Sequence, residues 1–407
     1  MPARTHLASH RRLATACTAL AACIAAAPLA RAEPPPAAAA AGNDFHAELA
    51  LLHRVVACGA EPEVAIPAEW VEVVNQHCAQ LARQLDRFRE RFVEQAQPFL
   101  AAIRPPDAPR SVIYPFGGGD LASALVTYPE ATDFTTISLE HSGDPRRLAD
   151  LGAAELRTAL ADFRGAIKGL LAQNDSATDK LQSLQRGPLP GQICFFLAAL
   201  TVFGHHPVSL RYFRIEPDGS LHYFTGAEIE ALAGKRARKI REWGVDTDHS
   251  IAFSNAELVF ERSRGDRARV VHRHIAANLD DSHFRGSPLE KYLVAKGRVA
   301  AMTKAASYLL WTGGFSAIRD SLLQYAELMV SDSTGIPPRL ARAAGFEQVT
   351  YGRFTAPFLT APEAPAEAFV ELWRTQPYRK LPFRYGYPDA DGNFHLLVTQ
   401  RVAQPAP

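Results

Sequence analysis

Apolar residues recur at steps of three and four through Phe45, Leu49, Leu52 and Val56, and again through Val71, Val74, Cys78, Leu81, Leu85, Phe88 and Phe92. That is the period of a helix with one buried face. Pro62 and Pro67 separate the two stretches, and Pro67-Ala68-Glu69 suits a helix start. Residues 44–103 therefore read as a helical hairpin laid over something larger. After the boundary Arg104-Pro105-Pro106-Asp107-Ala108-Pro109 the pattern changes. A short β-prone run over 111–116 leads into Gly117-Gly118-Gly119-Asp120, a helical stretch over 121–128, and a second strand-like run over 134–139 that ends in Glu140. Asp144-Pro145 predicts a helix start running to about Leu171, and residues 189–203, apolar on every side, predict a buried helix.

Two hairpins are predicted next. Runs over 207–215 and 220–224 flank Glu216-Pro217-Asp218-Gly219, and runs over 257–261 and 267–276 flank Arg262-Ser263-Arg264-Gly265-Asp266, each with glycine where the turn needs a positive φ. Residues 289–310 read as helix-prone and 315–325 as a helix. Residues 327–331 read as a strand that runs into Asp332-Ser333-Thr334-Gly335-Ile336-Pro337, and 346–354, 381–385 and 394–400 as closing strands. The pattern as a whole predicts an α/β fold: a Rossmann-like mixed sheet with flanking helices, an N-terminal helical hairpin and added β-hairpins, with the α/β domain spanning 110–402.

Composition narrows the partners. Of 407 residues 47% are hydrophobic and 21% charged, which excludes a disordered or fibrous chain. Lys and Arg number 44 against 43 Asp and Glu, so a net charge of +1 supplies no field for nucleic acid or an anionic membrane. At the N-terminus Arg4, Arg11 and Arg12 precede an alanine-rich apolar run, and Ala30-Arg31-Ala32 carries small residues at both positions a signal peptidase reads. Residues 1–32 thus read as a secretory signal and 33–43 as a Pro/Ala-rich spacer with nothing to bury. Pro28 and Arg31 cut the run short of the roughly 20 apolar residues of a membrane helix, so no transmembrane span is expected. Leu20-Ala21-Ala22-Cys23 also resembles a bacterial lipobox. The expected location is periplasmic or extracellular, with a membrane tether through an acylated Cys23 as the alternative.

Cys17 and Cys23 fall within that segment. In an oxidising compartment Cys58 and Cys78 could close a disulfide, which leaves Cys194, in Ile193-Cys194-Phe195-Phe196-Leu197, as a buried small hydrophobe. Neither Cys-x-x-Cys nor His-Glu-x-x-His is present. His272 and His274 would share one face of a strand and could take a metal with Asp281 or His283. Their alternation with Arg267, Arg269 and Arg273 reads more simply as an exposed strand, and no metal is assigned. Lys235, Arg236, Arg238, Lys239 and Arg241, with Trp243, read as a solvated helix face.

The stretch from Val112 to Glu140 carries the most chemistry. Glycines at a strand's end let a ligand approach the next helix's N-terminus, where free N–H groups favour an anion. An acid about 20 residues on, here Glu140, stands where a Rossmann unit binds ribose hydroxyls. The plainer alternative is a tight turn with Asp120 capping the helix and Glu140 in solvent. Asp332, after the strand at 327–331, would reach the same carboxyl edge and could face the glycine loop, or it could only bond local backbone.

Tyr114-Pro115-Phe116-Gly117-Gly118-Gly119-Asp120 through Glu140 resembles the first βαβ unit of class I methyltransferases. The resemblance implies that Gly117, Gly118, Gly119 and Glu140 would hold an adenosyl cofactor. The same motif, with Ala306-Ser307-Tyr308-Leu309 and residues 332–337, is similar to a set of exported bacterial proteins, which implies a shared fold and supplies no chemistry. Three functional readings follow. One is an envelope protein that binds a small polar or anionic ligand at the glycine loop. Another is an enzyme at the same edge, methyltransferase-like or a hydrolase using the carboxylates of Asp120, Glu140 and Asp332. The last is an envelope scaffold. The cofactor stays unassigned.

Overall fold

A computed structural model of the chain describes residues 42–171, 187–235, 250–356, 366–386 and 389–402. The expected signal at 1–32, nearly all of the spacer, and the basic run over 236–241 with Trp243 lie outside the described residues. Helices α1 (His46–Val55), α2 (Val71–Phe88) and α3 (Glu94–Ile103) come first, with a π-turn over Arg89–Val93 between the last two. Strand β1 (Ser111–Pro115), helix α4 (Leu121–Thr127) and strand β2 (Asp133–Ser138) then form a βαβ unit whose strands run parallel. Helices α5 (Ala153–Leu171) and α6 (Gly191–Phe203) lead to the hairpin of β3 (His206–Ile215) and β4 (Leu221–Tyr223). After α7 (Gly226–Ala233) comes the hairpin of β5 (Asn255–Glu261) and β6 (Arg269–Ala276). The chain continues through α8 (Asp281–Phe284), α9 (Pro288–Ala295), β7 (Val299–Thr303), α10 (Ser316–Tyr325) and β8 (Ala326–Ser331). It closes with α11 (Pro338–Ala343), β9 (Phe346–Gly352), α12 (Ala366–Thr375) and β10 (His395–Arg401).

The ten strands among the described residues join one sheet in the order β4-β3-β5-β6-β2-β1-β7-β8-β10-β9. The central five, β6, β2, β1, β7 and β8, are mutually parallel. Counted among themselves in chain order they run 3-2-1-4-5, the Rossmann order, which reverses direction between β1 and β7. Strand β10 is antiparallel to both β8 and β9, so β9 points the same way as the central five. The hairpins are not appendages, because β6 pairs with β2 and carries β5, β3 and β4 into the sheet. Period-two alternation sends Val112 and Tyr114 to a core shared with α1 to α6, and Ile113 and Ile137 to a second core under α8 to α11. No helix among the described residues is long and apolar enough to cross a membrane.

Three sequence expectations change. Residues 289–310 are not one helix-prone unit: α9 ends at Ala295, and Val299–Thr303 is a central strand, followed by a 3-10 turn over Ala305–Trp311. Every residue of β7 is buried, so it shows no alternation, and its Ala-Ala-Met reads as helix. Residues 381–385 form no strand; Pro382 lacks the donor a ladder needs, and the segment instead wedges Phe383 and Tyr385 into the core. The helix expected from Asp144 begins as a 3-10 turn over Pro145–Asp150 and restarts at Ala153.

Cys58 and Cys78 form a disulfide across 20 residues, tying the end of α1 to α2. A loop of that length predicts that the double Cys→Ser variant loses about 3 kcal/mol in urea unfolding, and that reducing the native protein costs the same amount. Equal unfolding curves with and without reductant would contradict this. Cys194 is buried in α6, and its surroundings push the thiol far above its usual range.

Candidate functional site

The loop after β1 is tightly folded. Phe116 and Gly118 take positive φ, 60° and 48°, and Gly117 N–H donates to the Ile137 carbonyl of β2 at 3.1 Å. A bulky residue in that region is strained, and such strain clusters at functional sites. The glycines face the protein's own side chains. A Cβ at Gly117 would stand 2.7 Å from the Tyr114 ring, and one at Gly119 would stand 2.7 Å from Gln192 Oε1 and 2.9 Å from Phe195. Asp120 Oδ1 accepts the Ser123 N–H at 3.2 Å and caps α4, so the position where a bound anion would sit already holds a carboxylate.

Asp120 does more than cap. Its Oδ2 accepts the Tyr114 hydroxyl at 3.1 Å and lies 3.2 Å from Lys304 Nζ, which also reaches Ser123 Oγ at 3.3 Å. Lys304 and Asp120 side chains are only 7% and 10% exposed, so this is a nearly buried ion pair. It joins the loop after β1 to the residue after β7, which places it at the switch point of the sheet, where α/β folds bind ligands. Tyr385 lays its ring 5.4 Å from Lys304 Nζ. Burial, then the charge of Asp120, then Tyr385 and Asp332 drive the Tyr114 hydroxyl well above its usual range, so it stays a donor. Burial, Tyr128, Asp332 and Asp120 do the same for Tyr385. Asp120 and Asp332 thus both act electrostatically on the same two phenols.

Asp332 is fully buried and accepts Thr334 N–H at 2.8 Å and the Thr334 hydroxyl at 2.5 Å. Gly386 packs on it, with φ +66° and a would-be Cβ 2.0 Å from Asp332 Oδ2. Gly386→Ala is therefore expected to cost about 2 to 4 kcal/mol, from left-handed strain plus displacement of a buried carboxylate, read by thermal unfolding. A cost below about 1 kcal/mol would show that the 385–386 segment can move off Asp332.

Glu140 lies two residues beyond β2 and is buried, 3% exposed, rather than in solvent. Its carbonyl accepts from His274 Nε2 at 2.8 Å. That bond fixes a relay. His274 carries its proton on Nε2, so Nδ1 accepts from the Thr136 hydroxyl at 3.0 Å, and Thr136 Oγ1 in turn accepts from His272 Nε2 at 2.9 Å. The exposed strand expected at His272 and His274 is thus corrected: both rings are fully buried beneath Phe196. The alternating arginines misled the reading because they face the opposite side of β6. Asp281 and His283 do not approach the pair; Asp281 binds Ser316 and Ala317, and His283 binds Asp280. Among the described residues the group of three potential metal ligands is Cys58, His77 and Cys78, whose sulfurs are joined to each other.

Several buried polar atoms at this edge have no hydrogen-bond partner among the described residues: Ser138 Oγ at the end of β2, Thr303 Oγ1 at the end of β7, and both side-chain atoms of Gln192. Each unsatisfied group costs about 1 to 3 kcal/mol, so each calls for an explanation. Sequence reasoning passed over Lys304, Gln192 and Tyr385, and gave Tyr114 no role of its own. The available signals were a lone charge, Lys304 in Ala301-Met302-Thr303-Lys304-Ala305-Ala306, and a lone amide, Gln192, at the head of the apolar α6.

Comparison of the chain with protein-family models, curated protein sequences and solved structures gives no match. The class of site is set by its own geometry: a Rossmann-order sheet with a buried ion pair at its switch point.

Proposed function

We propose that this is an exported protein that binds a small polar molecule at the switch point between β1 and β7. One observation carries the reading: both side-chain polar atoms of Gln192, which lies against Gly119 beside the Asp120–Lys304 pair, are buried and unpaired among the described residues. A ligand with donors and acceptors would satisfy them. The ion pair is internally neutral, which favours a neutral or zwitterionic ligand over an anion. Export is supported by the signal-like residues 1–32 and by the disulfide, which belongs to an oxidising compartment.

The strand order favours a transferase of methyltransferase type as the second reading. The glycine loop counts against it, since Tyr114, Gln192 and Phe195 fill the space that an adenosyl cofactor would need beside Gly117 and Gly119. The residues present do not fit that cofactor.

The test is native mass spectrometry of protein purified from the envelope fraction, against the same sample denatured. The expected result is a native mass higher by one small molecule, an excess that Lys304→Met removes. Gln192→Leu purified in the same way is expected to lack the bound mass, and in protein stripped of ligand it is expected to raise unfolding free energy by about 1 to 3 kcal/mol, because there an unpaired amide is replaced by an apolar isostere. A native mass equal to the denatured one, with Gln192→Leu no more stable than the parent, would overturn the proposal.

A further inference from the structure

A second site stands at the carboxyl end of β9, three strand spacings or about 14 Å from β7, the strand that Lys304 follows. There the loop after Gly352 and the end of α12 enclose a cavity of about 470 Å³, within the range of small-molecule pockets. Phe354 and Trp373 form its buried part, with ring centroids 5.5 Å apart, and Val370 and Tyr378 continue the apolar wall. The polar groups along the wall are committed elsewhere. Trp373 Nε1 donates to the Tyr351 carbonyl at 3.2 Å, Gln376 is bonded to Thr350 and Gln348, and Arg374 is held by Glu371.

Arg353 is the exception. Its guanidinium lies 5.2 Å from the centroid of the Tyr378 ring and makes no ion pair or hydrogen bond with any described residue. No described residue lining the cavity carries a carboxylate. The cavity therefore combines flat aromatic walls with one unspent positive charge at its mouth.

We infer that this cavity is a binding site for a small aromatic acid, its ring against Phe354 and Trp373 and its anionic group on Arg353. The aromatic walls supply contact area, and the guanidinium supplies a charge-assisted hydrogen bond to a carboxylate or sulfonate. The inference is independent of the ligand proposed at the switch point.

Two probes of one shape test it: 8-anilino-1-naphthalenesulfonate, and N-phenyl-1-naphthylamine, which lacks the sulfonate. Titrated by fluorescence into the full folded protein, the sulfonate is expected to saturate one site and to bind about fivefold or more tightly than the neutral amine. Arg353→Gln is expected to erase that difference, weakening the sulfonate alone, whereas Tyr378→Ala weakens both probes. Arg353 and Tyr378 are exposed, so neither change threatens folding. Arg87→Gln, an exposed arginine on α2, is the control for general charge and is expected to change nothing. Equal affinity of the two probes for the parent protein, an unchanged sulfonate affinity in Arg353→Gln, or no saturable binding of either probe overturns the inference.

Discussion

Asp120→Leu is expected to destabilise the protein by about 4 to 5 kcal/mol, and Lys304→Met by about 2 to 3 kcal/mol, with the double variant costing clearly less than their sum. The order follows from what each change leaves behind. Without Asp120, the Lys304 ammonium keeps Ser123 Oγ at 3.3 Å and the face of Tyr385, and α4 loses its cap. Without Lys304, the Asp120 carboxylate still accepts from Tyr114 and from Ser123 N–H. A buried charge stripped of its partner costs several kcal/mol, whereas removing both partners together removes that penalty. Urea unfolding of the three variants measures the coupling. Additivity within about 0.5 kcal/mol would show that the pair is not a unit.

Acidification between pH 6.5 and 4 is expected to remove several kcal/mol of stability, most of it above the range in which ordinary carboxylates titrate. The cause is a set of histidines buried in the neutral form. His274 is lowered to about 4, with burial as the main cause, opposed by its bond to the Glu140 carbonyl. His77 is also lowered to about 4 by burial, and Arg164 adds to the effect. Its Nε2 donates to the Val56 carbonyl and its Nδ1 accepts from Arg164 at 2.7 Å, which leaves no place for a second proton. Burial lowers His395, and burial with the adjacent His274 lowers His272 still further.

The sign follows from proton counting. The unfolded chain takes up protons at these rings as pH falls through 6.5, while the folded protein does not until about 4. Stability therefore falls with pH across that window, by about 3 kcal/mol for a fully buried ring with such a shift. Carboxylates held low by hydrogen bonds, such as Asp280 at about 2, act only below their ordinary value of 3.8. Denaturant unfolding at steps from pH 7 to 4 reads the slope. A variant with His272→Leu and His274→Leu is expected to flatten it, and an unchanged slope would assign acid loss to other groups.

The sequence by itself determined the local units. Three glycines between two β-prone runs gave β1, α4 and β2; proline and glycine at one tip gave the β3–β4 hairpin and glycine at the other gave β5–β6; a short loop between cysteines gave the disulfide. Each rests on neighbours within some 20 residues, where turn chemistry and period are decisive. Asp120 as a helix cap was legible for the same reason.

Tertiary structure alone decided the rest. Strand β7 lies between two parallel neighbours and is buried on both faces, so burial erased the alternation that would have marked it. With β7 hidden, Lys304 could not be placed, and its pairing with Asp120 spans 184 residues. The joining of Thr136 to His272 and His274, and of Gly386 to Asp332, likewise depends on which strands and segments lie side by side. Local composition fixes the backbone's turns and periods. The contacts that bury a charge or strand a polar atom are set by the sheet order, which only the packed chain resolves.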